Sequence, residues 1–161
     1  MSDKEILKGK KILAVDDEQD VLSVIREELE ACQLITAGDF DSARQYLERE
    51  PFDLVILDIM GVKGFDLLDI ARDKRLPAVM LTAHALTPNS FQKSIDKGAV
   101  SFLPKDELYR LEELIMEILE EVGKGKTHWH RLIERLGPRF KELWGQLWEE
   151  IKFPQDSKIT W

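Results

Sequence analysis

Five side chains with chemical capacity stand where short apolar runs end. Asp16 and Asp17 follow "ILAV", Asp58 follows "LVIL", Thr82 follows "AVML" and Lys105 follows "SFLP". Three carboxylates brought close together repel one another, and their pKa values rise unless a cation is present. A hard divalent ion of the Mg²⁺ type relieves this, because it takes carboxylate, carbonyl and water oxygens as ligands. A carboxylate beside such an ion, with a lysine and a threonine as donors, is equipped to attack phosphorus and to have the product's charge neutralised. The implied chemistry is that of a phosphoryl acceptor. Taken singly, each residue has a plainer reading: Asp16-Asp17 as a helix cap, Thr82 as a strand former, Lys105 as a solvated loop lysine. Their joint occurrence at successive strand ends argues against those readings.

The elements that must position these residues are legible as alternating runs. Apolar, β-rich stretches recur at 11–15, 33–37, 53–57, 77–82 and 100–103, mostly continuous, as in strands covered on both faces. Helix-length amphipathic segments lie at roughly 19–31, 41–49, 65–74, 87–97 and 106–122. In the last, Leu108, Leu111, Leu114, Ile115, Ile118, Leu119 and Val122 form one apolar stripe beneath an acidic face. This order predicts an α/β fold, a doubly wound (βα)5 five-stranded parallel sheet with right-handed crossovers. In such sheets function sits at the carboxyl ends of the strands, where all five side chains fall.

The chain has 161 residues, 43% hydrophobic and 34% charged, enough for one domain with a substantial core and an appendage. Its formal net charge of −8 disfavours general affinity for nucleic acid or anionic membranes. Cys32, the one cysteine, stands in an amphipathic run and reads as a packed thiol. With no apolar signal core in "MSDKEILKGKK" and no 18-residue apolar run, the expected location is cytoplasmic, with no membrane partner.

Composition changes at "GKGKT", residues 123–127. Residues 1–122 hold 15 Lys+Arg against 26 Asp+Glu, whereas residues 123–161 hold 8 against 5 and all four tryptophans. Two units are expected: 1–122, and a linker with an amphipathic helical hairpin over 123–161. In the tail, Trp129, Leu132, Ile133 and Leu136 repeat at helical spacing up to Gly137-Pro138, where a break is expected. A second stripe runs through Phe140, Leu143, Trp144, Leu147, Trp148 and Ile151. Too short for a core of its own, this aromatic face must bury against something: the preceding domain, a second copy or another protein. Trp129, Phe140, Trp144 and Trp148 are its candidate partner surface. The two histidines of "HWH" at 128–130 do not share a helix face, which argues against a metal pair.

Residues from about 10 to 122 resemble the receiver domain of two-component response regulators. The resemblance rests on Asp16-Asp17 after "ILAV", Asp58 ending "LVILD", Thr82-Ala83 ending "AVMLTA", Lys105 three residues after Phe102, and the step in "DKGAVSFLPK". It implies a flavodoxin-like sheet, and an Asp58 that accepts a phosphoryl group from a histidine kinase, a phosphotransfer protein or a small phosphodonor. It implies that Asp17, Asp58 and the Met60 backbone carbonyl hold Mg²⁺ directly, with Asp16 acting mainly through water. Thr82 and Lys105 would bind phosphoryl oxygens, Phe102 would stand at the switch position, and Met60 and His84 would overhang the acceptor and govern access of water. The implied protein is a signalling switch with only self-directed phosphotransfer and dephosphorylation, not a turnover enzyme.

The chain departs from the family pattern twice. Receivers usually carry a proline four residues and a glycine eight residues after the acceptor; here Gly61 and Gly64 stand three and six after Asp58. The turn is two residues short, and we expect Gly61 to absorb the shorter path while Met60 still presents its carbonyl. Pro104 also precedes Lys105 instead of following it, and Asp106 is expected to cap the last helix. Two alternatives follow: a receiver-like scaffold whose shortened turn prevents phosphorylation, and a transcriptional regulator that binds DNA through the tail.

Overall fold

The structure, a computed structural model, describes residues 3–161, so the first two residues of the expected 1–122 unit lie outside the described residues. After a 3-10 turn at Asp3–Leu7, the chain alternates strand and helix: β1 (Lys11–Val15), α1 (Gln19–Glu28), β2 (Gln33–Ala37), α2 (Phe40–Arg49) and β3 (Leu54–Asp58). It continues with α3 (Gly64–Asp73), β4 (Ala78–Thr82), α4 (Pro88–Asp96), β5 (Ser101–Pro104), a 3-10 turn (Lys105–Arg110) and α5 (Leu111–Gly123). The strands pair in parallel in the order β2-β1-β3-β4-β5, as the expected doubly wound sheet requires. Among the described residues no helix is long and apolar enough to cross a membrane.

Both faces of the sheet are covered because the apolar strand runs alternate sides with period two. Leu13, Val15, Leu57, Met80 and Phe102 pack towards α2, α3 and α4, while Ile12, Ala14, Ile56, Leu81 and Leu103 pack towards α1 and α5. Two helix starts are fixed by side-chain caps: Asp39 accepts from the Ser42 N–H at 2.8 Å, and Thr87 accepts from the Ser90 N–H at 3.1 Å with Pro88 in the first helical position. Asp106 does not cap α5, contrary to expectation. The chain first makes the 3-10 turn, and the Asp106 carboxylate turns outward to grip Arg139 with both oxygens, at 2.7 and 2.6 Å.

The tail also departs from expectation. Its main helix, α6 (Trp129–Trp144), runs straight through Gly137 and Pro138, and the break falls at Gly145, followed by the single turn α7 (Gln146–Glu149). Pro138 gives up one helical hydrogen bond, to Glu134, but both residues are on the exposed side, where water can satisfy the orphaned carbonyl. The buried stripe of Leu132, Leu136 and Phe140 continues across the proline and holds the helix together. A Cβ on Gly137 would stand 3.2 Å from the Ile133 side chain and at ordinary contact distance, 3.6 Å, from Trp148. Gly145 has φ +57° and ψ −129°, a conformation for which glycine is suited, and there the chain reverses.

The aromatic face is buried in cis. Phe91 of α4 meets the rings of Phe102, Trp129, Phe140, Trp144, Trp148 and Phe153 at centroid distances of 5.0–6.0 Å. Trp129 and Phe140 are therefore core residues here and offer no surface to another molecule; the exposed apolar side chains of the tail are Leu143, Leu147 and Trp161. On the other side of α6, arginines spaced by four face the acids of α5 and of the turn before it: Arg131 meets Glu120 at 3.0 Å, Arg135 pairs with Glu113 and Glu117, and Arg139 holds Asp106. As a result, edge strand β5 is fully buried, whereas the opposite edge, β2, stays half-exposed.

Candidate functional site

The sequence brings its acids together at the point where the winding of the sheet reverses, between β1 and β3. Val15 pairs with Leu57, so the next residues, Asp16 and Asp58, leave adjacent strands at one level. Asp58 continues the row of Leu54 and Ile56, on the face covered by α1 and α5. Thr82 continues the row of Ala78 and Met80, on the face covered by α4. Asp16, Asp58 and Thr82 are buried, and Asp17 is exposed at the mouth.

One ammonium serves this group. Lys105 Nζ lies 2.9 Å from Asp16 Oδ2, 3.2 Å from Glu18 Oε2 and 3.4 Å from Asp58 Oδ1. The Glu18 N–H donates to Asp16 Oδ1 at 2.9 Å, whereas the buried Asp16 Oδ2 has no well-aligned hydrogen bond despite the nearby lysine. Burial, followed by the charge of Asp16, pushes the Asp58 carboxyl up to about 7 against the opposing pull of Lys105. Burial also raises Asp16, with Lys105 and the Glu18 N–H acting against it. Lys105 is disfavoured by burial, yet its bond to Asp16 and the charges of Asp16 and Asp58 outweigh that and raise its pKa. All three directions report a site short of positive charge.

That shortage is the measure of whether the residues fit a divalent cation. Asp16, Asp17 and Asp58 each present a carboxylate oxygen, all within 4.8 Å of one another, a hard-oxygen donor set with the Lys105 ammonium as its one cationic neighbour. The shortened turn preserves this convergence. The Ile59 carbonyl accepts from the Gly64 N–H at 3.2 Å, closing the turn, while Gly61 takes φ +86° and Lys63 φ +54°. A Cβ on Gly61 would stand 2.5 Å from Asp17 Oδ2, and one on Gly64 would stand 2.1 Å from the Asp58 carbonyl oxygen. Gly64 is required by close approach of backbone and Gly61 by its positive φ, with the Asp17 carboxylate lying against it.

The remaining expected residues fall as follows. Thr82 Oγ1 accepts from the Ala85 N–H at 2.8 Å, which leaves the hydroxyl proton free to donate. Met60 and His84 are exposed on the loops that flank the acids. Phe102 is buried, edge-on to Phe91 at 5.0 Å. The tail histidines point apart: His128 lies between Ser101 Oγ at 2.8 Å and Glu117 Oε1 at 3.1 Å, while His130 faces Glu121 at 3.8 Å. Sequence reasoning missed Glu18, whose carboxylate competes for Lys105; its position directly after the acid pair was the available signal. It also missed Ser101 and Glu117, because an isolated serine on a strand and one glutamate among many on a helix carry no motif.

The response regulator receiver domain model matches residues 12–118. Among curated proteins, the two-component response regulator ARR10 of Arabidopsis thaliana is 35% identical over 113 residues, 66% of this chain and 20% of its own length. The heme response regulator HssR of Staphylococcus haemolyticus is 31% identical over 113 residues, 67% of this chain and 49% of its own. The chain thus spans from about a fifth to about half the length of these relatives. Among solved structures, a CheY-like receiver domain protein from Methanospirillum hungatei superimposes with a TM-score of 0.65 at 29% identity, covering 73% of this chain and 98% of that one. The Mn²⁺-bound form of response regulator Rcp1 shares the fold, with a TM-score of 0.58 at 22% identity over 65% of this chain and 91% of that one. With a family match over most of its length, and with the acids, the threonine and the lysine gathered at the switch point of the sheet, the chain belongs to the response regulator receiver domain family.

Proposed function

We propose that the protein is a phosphoacceptor switch of two-component signalling in which Asp58 takes a phosphoryl group from a histidine kinase, a phosphotransfer protein or a small phosphodonor. The observation that carries this reading is the placement of Asp58: buried at the end of the central strand, 3.4 Å from Lys105 and within 4.8 Å of the Asp16 and Asp17 oxygens. An ionised Asp58 oxygen attacks phosphorus, the bond from phosphorus to the donor's nitrogen or oxygen breaks, and its electron pair leaves with the donor. With its pKa pushed up to about 7, a large share of Asp58 stays protonated at neutral pH, and added positive charge favours the ionised form. Bound Mg²⁺ supplies that charge and offsets the charge on the transferred group; Asp17, Asp58 and the Met60 carbonyl would hold it, with Asp16 reaching it through water. Lys105 then exchanges carboxylate partners for a phosphoryl oxygen, and the Thr82 hydroxyl donates to another.

Hydrolysis of the acyl phosphate resets the switch, and the exposed Met60 and His84 border the path that water takes. In this reading the protein turns over only its own phosphate, works in the cytoplasm, and addresses other proteins. The short turn after Asp58 supports the switch over an inert scaffold, since its glycines keep the acids together. The arginines of α6 that could meet DNA phosphates are instead spent on the acids of α5 and on Asp106, which favours a protein-directed output over DNA binding. Intact-mass measurement with acetyl phosphate and Mg²⁺ tests the assignment. The wild type should gain one alkali-labile phosphoryl group and Asp58→Asn none; an unmodified wild type, or an equally modified variant, defeats it.

A further inference from the structure

We infer that His128 is a proton-operated latch: its neutral imidazole fastens the root of the tail to β5 and α5, and uptake of a proton opens it. These groups meet at the start of β5, the other end of the strand from Lys105, and take no part in the phosphoacceptor chemistry proposed above.

Two adjacent tail residues grip three adjacent residues where the chain enters β5. The His128 N–H donates to the Val100 carbonyl at 2.8 Å, and the Trp129 indole N–H donates to the Ala99 carbonyl at 3.1 Å. The third bond joins Ser101 Oγ to His128 Nδ1 at 2.8 Å, while the other ring nitrogen, Nε2, lies 3.1 Å from Glu117 Oε1 of α5. Ser101, His128 and Glu117 are all buried, so water does not stand in for any of these partners. A carboxylate only accepts, which puts the ring hydrogen on Nε2 and leaves Nδ1 to accept from the serine hydroxyl. One neutral tautomer satisfies serine, ring and carboxylate together.

An imidazolium does not fit this setting. Its added N–H, on Nδ1, would face the serine oxygen, and the serine hydroxyl would have to turn away from its partner. Nor is Glu117 free to balance the new charge, because Arg135 already grips it and Arg131 Nε stands 3.7 Å from Oε1. Arg135 keeps a buried Nη1 with no hydrogen-bond partner, so the cluster already holds more donors than acceptors. Glu121, the other buried acid of α5, is engaged by Arg131 at 3.5 Å and faces His130 at 3.8 Å, and β5 carries no ionisable side chain. Burial lowers the His128 pKa against the pull of Glu117, and the two arginines add to the lowering. Once the root opens, the ring enters water and titrates near its ordinary 6.5. The open form thus takes up a proton that the closed form refuses, and closure weakens as pH falls through about 6.5.

Hydrogen exchange on the full chain at about pH 7.5 and about pH 5.5, each rate divided by that of an unstructured chain at the same pH, tests this. The amide of His128, and that of Leu132, which donates to the His128 carbonyl, report the root. Their opening should rise by about 3- to 10-fold on acidification, the upper figure being what one proton can supply over that range, while α2 amides show no such rise. His128→Gln, which keeps an N–H for Glu117 but takes up no proton, should abolish the dependence, and His130→Gln should keep it. Imidazole nitrogen NMR of the wild type gives a reading that no variant's folding affects: His128 should remain the neutral Nε2–H tautomer at about pH 6.5. A His128 protonated in the closed protein at that pH, root amides equally protected at both values, or an acid response that survives in a folded His128→Gln overturns the inference.

Discussion

A carboxyl group held near pKa 7 couples the site to the stability of the fold. Unfolded, Asp58 titrates near 3.8; folded, burial and the Asp16 charge hold its proton up to about 7. Between these values the native state binds more protons than the unfolded chain, so stability is full below the lower value and falls as pH rises through the higher one. For the metal-free protein we expect Asp58→Asn to melt higher than the wild type at pH 8, by about 1–3 kcal/mol, and the difference to close towards pH 4. Saturating Mg²⁺ should stabilise the wild type much more than the variant. Thermal melts at the two pH values, with and without Mg²⁺, provide the check; a variant less stable than wild type at pH 8 without metal would show that the charge is already balanced. The residues behind this behaviour were legible because strand ends at a switch point leave little freedom: Asp16, Asp17, Asp58, Thr82 and Lys105 all lie where their positions in the sequence place them. Glu18 was not, since whether an exposed acid folds back onto a lysine is decided by side-chain rotamers that no periodicity encodes.

The turn between β3 and α3 shows how one missing loop segment is accommodated by backbone choice. Gly61 combines a left-handed φ of +86° with a Cβ position already occupied by the Asp17 carboxylate. Gly61→Ala should therefore cost about 1–3 kcal/mol and, because it drives Asp17 away, weaken Mg²⁺ binding measurably. Titration calorimetry beside a urea melt separates these effects, and an alanine variant with unaltered Mg²⁺ affinity would show that Asp17 is not a ligand. The expected strands and the positions of most helices followed from apolar periodicity, but the helix ends did not. The helix expected over 19–31 stops at Glu28, and the one expected from 106 opens with a 3-10 turn because Asp106 is taken by Arg139. In α6, a Gly-Pro pair that reads as punctuation is overridden by an apolar stripe that Gly137 joins and that lies opposite the exposed Pro138. Local chain preference lost there to tertiary burial, which a single sequence does not display.

At the scale of the molecule, the tail turns an edge of the sheet into an interior. Phe91 has no exposed surface and touches rings from α6, α7, β5 and the final segment, so Phe91→Ala should cost about 3–5 kcal/mol in a urea melt. Leu143→Ala, on the exposed side of α6, should stay within about 0.5 kcal/mol of wild type, and equal losses at the two positions would contradict this packing. That the tail must bury its aromatic face was evident from its length and spacing; that it does so on its own chain depended on the arginine spacing matching the acids of α5, a match between two helices that only the fold reveals. This arrangement also determines what light reports. All four tryptophans, at 129, 144, 148 and 161, lie beyond the sheet, and Trp144 stacks on Phe140 with the rings 5° from parallel and 4.8 Å apart. The tryptophan emission of the protein is therefore that of its last quarter, residues 123–161, and a spectroscopist watching it sees the tail while the phosphoacceptor stays dark.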